Sequence, residues 1–414
     1  YHWTLHHFGL NYMLQLLSVI FACSSSEKDS SNEPITDSFV PTETDQGWSV
    51  GAVEPCGNSS VIPSYQDISS DFGDPNQSGT FSNTEGAIAI REYQDQWWIW
   101  EIISNTVTAR NRLGEEVQYE STTIPIRIYL LDIDQNGEDD LFILGESLDL
   151  IWSIQTPNER RETLIPNESF RGVRDLALID LEGDGDLDLW VLAGTSDETS
   201  IETWSWIFEQ ESTGVLAEPY EYIDREYFGA AFDGVVFDWE GDGDPDIYIC
   251  NDFGFFYGAN SLLQNDQGLL TEGEPNGSDI NTACMGASVG DLNSDGHLDI
   301  YLTATQDHHL IQGSENGFID VSSSVGLPVP EQPQMLWGSQ ILDYNNDGLW
   351  DILAASSGFT MVSSTGVEIA PYPLWLMEQT AINQFQEVGA QFGFPQESTT
   401  RAVLAHDINS DGVL

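Results

Sequence analysis

An acidic segment of nine residues, bounded by apolar runs, recurs along this chain and constrains its fold more than any other feature. The copies read DIDQNGEDD (132–140), DLEGDGDLD (180–188), DWEGDGDPD (238–246), DLNSDGHLD (291–299), DYNNDGLWD (343–351) and DINSDGVL (407–414). Their starting points lie 48 to 64 residues apart. The flanking runs, such as LFIL, LDLWVL, IYIC, IYLT and DILAA, are rich in β-branched and aromatic residues and have the length of strands. A strand–turn–strand unit repeated at this period predicts an all-β fold, a β-propeller with one four-stranded blade per repeat.

A second box supports the period. YQDISSDFG (65–73), FIDVSSSVG (318–326) and FQEVGAQFG (385–393) share an aromatic residue, an acid and a glycine at matching offsets. The same distance from the first copy leads to AIAIREYQDQWWIW (87–100), an apolar strand pair without the acidic spacing. Counted as a degenerate first blade, it brings the expectation to seven blades. The sixth acidic copy stops at Leu414, so the last blade is expected to be truncated here. The expected organisation is a signal or lipobox region over 1–23, a polar linker over 24–55 and the propeller over 56–414.

The loops have the chemistry of a calcium site. Calcium takes six to eight hard oxygen ligands, and a tightly curled loop can aim alternate side chains at one point. Carboxylates or amides stand at positions 1, 3 and 5, glycine at 6, a backbone carbonyl is on offer at 7, and an acid returns at 9. The first loop gives Asp132, Asp134, Asn136, Glu138 and Asp140, and the second Asp180, Glu182, Asp184, Asp186 and Asp188. The third gives Asp238, Glu240, Asp242, Asp244 and Asp246, and the fourth Asp291, Asn293, Asp295, His297 and Asp299. The fifth gives Asp343, Asn345, Asp347, Leu349 and Asp351, and the incomplete sixth Asp407, Asn409 and Asp411. Without a cation such a crowd of carboxylates repels itself. An EF-hand is excluded, because position 12 holds Ile143, Val191, Ile249, Leu302 and Ala354 rather than Glu. Five complete Ca²⁺ sites and a sixth truncated one are expected, with none in the degenerate copy.

With 69 acidic residues against 11 basic ones, a net charge of −58 excludes nucleic acid as a partner and opposes adsorption to anionic lipid. Filled loops would cancel only a minority of that charge, so the surface itself must be acidic. The apolar run MLQLLSVIFA (13–22) before Cys23 is too short to span a bilayer. Ile20-Phe21-Ala22-Cys23 has the pattern of a bacterial lipobox, which makes Cys23 a lipidation candidate; a cleaved signal peptide or a buried N-terminal segment are the alternatives. Either of the first two places the protein outside the cytoplasm, secreted or anchored to an outer membrane through lipid. Cys250 and Cys284 flank consecutive loops and could bridge neighbouring blades or remain buried thiols.

At these loops the sequence resembles the FG-GAP/VCBS repeat family, whose blades form the propeller of the integrin α head. The namesake pair is read at Phe228-Gly229-Ala230, Met285-Gly286-Ala287 and Trp337-Gly338-Ser339. CNDFG…ANSLLQN (250–265) and CMGASVGDLNSDGHLDIYLT (284–303) are similar to bacterial secreted members with a C-terminal ASPIC/UnbV domain. The resemblance implies calcium binding and adhesion or ligand recognition, with a protein or glycan partner it does not name.

No HExxH, GxSxG or CxxC motif and no phosphate-binding glycine loop occurs. The leading expectation is therefore a binding scaffold. A propeller enzyme acting on polysaccharide is the alternative and would need convergent Arg, His or Tyr, for which Arg160-Arg161 and Arg171-Arg174 are the nearest candidates. A structural surface-layer component is the third reading. His308-His309 reads as a loop or a transition-metal pair, and Trp97, Trp98, Trp100, Trp204 and Trp206 read as core packing or a sugar-stacking face.

Overall fold

The computed structural model describes residues 88–405 except 94–95, 104–105, 112, 156–159, 166–171, 197–200, 213, 222–229, 274, 330–333, 361–367, 371 and 395–400. The lipobox with Cys23, the linker, Cys56, the first box at 65–73, Arg171 and the sixth loop with Asp407, Asn409 and Asp411 lie outside the described residues.

Six antiparallel sheets follow one another along the described chain, each a meander in which sequence neighbours pair. The first joins Ile88–Tyr93, Gln96–Ile103, Thr106–Asn111 and Glu116–Tyr119. The second joins Arg127–Leu131, Asp140–Leu144, Leu148–Ile151 and Arg161–Ile165. The third joins Gly172–Ile179, Asp188–Ser196, Ile201–Phe208 and Tyr220–Glu221, with a small hairpin of Gln210–Ser212 and Val215–Leu216 beside it. The fourth joins Ala230–Phe237, Asp246–Asp252, Ser261–Asp266 and Leu269–Glu272. The fifth joins Cys284–Gly290, Asp299–Ala304, His308–Gln312 and Ile319–Asp320. The sixth joins Met335–Leu342, Asp351–Thr360, Trp375–Ala381 and Gln384–Glu387, and Glu368–Ala370 adds a fifth strand beside Asp351–Thr360.

The second strand of each sheet explains the stacking. Asp140–Leu144 and Asp299–Ala304 are buried at every residue. A strand buried on both faces reads as an unbroken apolar run, and its side chains alternate between two neighbours. Leu141 and Ile143 pack against Trp100 and Val107 of the first sheet, while Phe142 and Leu144 pack against Leu176 and Val191 of the third. Trp190 and Leu192 meet Ile247 and Ile249 of the fourth, and Tyr248 meets Ile300 and Leu302 of the fifth. Tyr301 and Leu310 then meet Ile352 and Ala354 of the sixth, whose Leu353 and Ala355 face Ala405. First strands neighbour first strands from one sheet to the next. Sheets stacked face to face with their first strands together are radial blades around an axis, the β-propeller plan.

The degenerate repeat is the first two strands of the first sheet, closed by a tight hairpin at Tyr93 and Gln96 in place of an acidic loop. Its Trp98 and Trp100 are buried against the second sheet, and Trp206 packs in the next interface, so these rings are core. The side chain of Trp204 lies outside the described residues. Cys250 and Cys284 form a disulfide between the fourth and fifth sheets, which settles the open choice in favour of the bridge. No helix among the described residues is long and apolar enough to cross a membrane.

Candidate functional site

All five complete loops connect the first and second strands of their sheets, and they curl in one way. The carboxylate at position 1 accepts two backbone N–H groups. In the first loop Asp132 takes those of Asn136 at 2.9 Å and Gly137 at 2.8 Å. Asp180, Asp238, Asp291 and Asp343 repeat this at positions 5 and 6 of their own loops. The position-5 side chain then accepts the N–H of position 7, as Asn136 does from Glu138 at 2.7 Å and Asp295 from His297 at 2.9 Å. The glycine at position 6 is needed for its backbone, since φ there runs from 83° at Gly348 to 97° at Gly243. Position 4 is also left-handed, at Gln135, Gly183, Gly241, Ser294 and Asn346, a requirement the changing residue type hides.

The acid at position 9 is wholly buried in all five loops: Asp140, Asp188, Asp246, Asp299 and Asp351. Each accepts the N–H of position 2 in its own loop and one N–H at or just beyond the end of the third strand. Asp299, for example, takes Leu292 at 3.0 Å and Gly313 at 3.0 Å. Burial raises the Asp140 carboxyl to about 6, with Asp134 and Asp132 adding to it. Burial likewise raises Asp299 and Asp351 to about 7, helped by Asp295 and Asp291 in one loop and Asp347 and Asp343 in the other. Glu182 and Glu240, although exposed, are raised to about 7 by partial desolvation and by the neighbouring Asp188 and Asp246.

These loops hold more carboxylate than their own backbone can stabilise, which is the condition a divalent cation relieves. In the first loop, oxygens of Asp132, Asp134 and Asp140 lie within 4.8 Å of one another, close enough to share one ion. Among the described residues no other loop brings three acids or histidines so close. In the fourth and fifth loops the position-3 amides turn to the position-5 carboxylate, Asn293 to Asp295 at 2.9 Å and Asn345 to Asp347 at 3.0 Å.

A second element, absent from the motif, wires three of the loops to their predecessors. Gln210 donates its amide to the position-2 carbonyl of Ile133 in the preceding loop at 3.2 Å and to Leu187 of its own at 3.0 Å. Gln379 repeats this with Leu292 at 3.0 Å and Trp350 at 2.8 Å. Asn265 reaches back to Leu181 at 2.9 Å. Their side-chain oxygens hold the hairpin tips at Gly214, Asn383 and Gly268. In the fifth sheet this place falls to Gly313, where an added Cβ would lie 2.2 Å from the Leu298 carbonyl.

The namesake pair needs one correction. Met285 and Trp337 stand six residues before Asp291 and Asp343, and in the fourth repeat that place belongs to Phe232, six before Asp238. The first strands of the fourth, fifth and sixth sheets bulge at this point, between Ala231 and Asp233, Cys284 and Gly286, and Leu336 and Ser339. The Phe-Gly string at 228–229 lies outside the described residues, and the bulge rather than the string sets the register. The following residue in successive repeats is Arg127, Asp175, Asp233, Gly286, Gly338 and Ala402. Arg127 bonds Asp233 at 2.7 Å and lies 3.4 Å from Asp175, which also accepts the Tyr129 hydroxyl.

Of the arginine pairs singled out in the sequence, Arg160 and Arg161 do not converge on one point. Arg160 lies over Trp152 and pairs with Glu162, Arg161 pairs with Glu120, and Arg171 is not described. His308 is a core residue between the Tyr301 hydroxyl at 2.8 Å and the Pro328 carbonyl at 2.7 Å, and His309 bonds Asp320 at 2.8 Å.

Among solved structures, an Agrocybe aegerita lectin that recognises non-reducing terminal N-acetylglucosamine is 14% identical, with 78% of this chain and 82% of that chain covered and a TM-score of 0.43. Virginiamycin B lyase from Staphylococcus aureus is 10% identical, over 73% of this chain and 93% of that one, at a TM-score of 0.41. The Dos1 propeller is 13% identical, over 77% and 87%, at 0.41. Likenesses this remote say nothing of ligand or activity. No curated protein matches the sequence. The family model described as FG-GAP-like repeat matches residues 238–302, a span from the acidic loop of the fourth sheet to the second strand of the fifth. The chain carries an FG-GAP-like repeat at 238–302, within a propeller whose other sheets follow the same plan.

Proposed function

We propose that this protein is a calcium-loaded propeller acting outside the cytoplasm as a binding scaffold, with a protein or glycan as its partner. The observation that carries the reading is the fivefold recurrence of a buried ninth-position aspartate whose loop supplies further acids and no cation of its own. Asp132, Asp134 and Asp140 would hold the ion of the first loop. In the others the ligands would be the residues at positions 1, 3, 5 and 9, once Asn293 and Asn345 turn from their carboxylate neighbours. The ion would supply charge neutralisation and fix the strand-one to strand-two turns, leaving the loops at the opposite ends of the blades free to vary for recognition. The disulfide supports an oxidising compartment, and a lipid at Cys23 would tether the propeller to a membrane. An ASPIC/UnbV domain following the propeller belongs to the same proposal.

Extracellular calcium modules bind at about 10⁻⁴–10⁻³ M. At tenfold excess each site adds roughly 1.4 kcal/mol to stability, so five independent sites add about 7 kcal/mol. Emission spectroscopy on protein equilibrated by dialysis against buffer holding calcium at tenfold excess, with the buffer's own calcium subtracted, should count about five calcium ions per chain, and excess chelator should lower the melting temperature by more than ten degrees. A melt that ignores both calcium and chelator would sink the reading.

A further inference from the structure

In a repeat protein, equivalent positions are expected to carry equivalent residues, and a departure at one shared position points to a function. The position five residues before each acidic loop departs sharply. It is Gly286, Gly338 and Ala402 in three repeats, and Arg127, Asp175 and Asp233 in the other three. Burying one guanidinium and two carboxylates costs several kcal/mol that small residues would avoid.

The small residues open a space. A cavity of about 310 Å³ lies between the first strands, lined by Arg127, Phe232, Asp233, Met285, Trp337 and Arg401 among others. Asp233 in its wall and Asp175 behind Arg127 are already committed. Asp233 accepts from Arg127 at 2.7 Å and from the Ala287 N–H at 3.1 Å. Asp175 accepts from the Tyr129 hydroxyl, the Leu176 N–H at 2.9 Å and the Gly234 N–H at 2.8 Å. The Arg127 guanidinium is less committed. Arg127 bonds through Nη1, and among the described residues no acceptor meets its Nε or Nη2, although the side chain is only 16% exposed. Its guanidinium stands 5.7 Å from the Phe232 ring centre. Across the cavity the Arg401 guanidinium lies on Trp337 at 3.7 Å.

We propose that this axial cavity binds a small carboxylate. A planar guanidinium whose position is fixed by two acids offers its remaining edge for a two-pronged bond to a carboxylate. Arg401 supplies a second positive charge, and Phe232, Met285 and Trp337 give apolar walls to the body of the ligand. The volume, near the lower end for small-molecule sites, suits an acid the size of a monosaccharide or of benzoate. The site is independent of the acidic loops and does not rest on their calcium.

Titration calorimetry on the whole chain would use galacturonate against galactose, benzoate against benzamide, and inorganic sulfate. One carboxylate should bind at one per chain and at least tenfold more tightly than its neutral counterpart, the better probe separating a sugar acid from an aromatic one. Arg401→Met should weaken it tenfold or more. Ala402→Phe, which fills the space without removing a charge, should abolish binding while the melting temperature stays within a few degrees. Carboxylates binding no better than their neutral counterparts, sulfate binding as tightly, or affinity unchanged in both variants would each overturn the assignment.

Discussion

Asp299 and Asp351 show how one residue type can serve both the backbone and an ion. Each ties a position-2 N–H to the third-strand side of its own sheet. Removing such an acceptor leaves two buried donors without a partner, so Asp351→Ala should cost about 2–4 kcal/mol in urea denaturation, with or without calcium. The pH response separates the two roles. A carboxyl raised from about 3.9 in the unfolded chain to about 7 in the fold favours the folded state when protonated. That stabilisation is complete below the unfolded value and is lost as pH rises through the folded one. In chelator, lowering the pH from 7.5 to 5.5 should therefore raise the melting temperature, and calcium should flatten the slope; a slope unaffected by calcium would separate these acids from any ion. Positions 1, 5, 6 and 9 were legible in the sequence because each demands one chemistry. The left-handed position 4 was not, since Gln135, Gly183 and Asn346 meet it with unlike side chains. The axial position was missed for a related reason. Arg127, Asp175 and Asp233 form no motif, and only counting back from each loop reveals their equivalence.

At the level of the strands, the apolar runs gave the second strands because a segment covered on both faces has no polar side to show. The blade-to-blade amides were not legible: Gln210, Asn265 and Gln379 are ordinary polar residues until the hairpins place them beside the preceding loop. Gln379→Leu should cost about 2–3 kcal/mol, because it strands two carbonyls and the Asn383 N–H. Gln379→Asn, the residue type that serves in the fourth sheet, should recover part of that loss. The interface between the fourth and fifth sheets lacks the amide, having Gly313 in its place, and carries the disulfide instead. Cys250→Ser combined with Cys284→Ser should lower unfolding free energy by about 2–4 kcal/mol. Calorimetry showing no change would mean that packing of Tyr248, Ile300 and Leu302 suffices there.

Over the whole molecule, a charge of −58 makes the folded state work against self-repulsion. Sodium chloride should raise the melting temperature gradually by screening, whereas millimolar calcium should raise it far more than sodium chloride of equal ionic strength. Equal effects at equal ionic strength would reduce the loops to surface charge. The buried second strands carry a consequence for how the protein is made. Each sheet leaves the exit channel with one side sealed by its predecessor and the other still wet and greasy. A growing chain therefore always presents one adhesive wall until the next sheet arrives, and it is at this stage, before the ring of sheets is complete, that two copies could stick together. The dense acidic coat would then act first as a spacer between neighbouring nascent chains, well before it serves the finished protein.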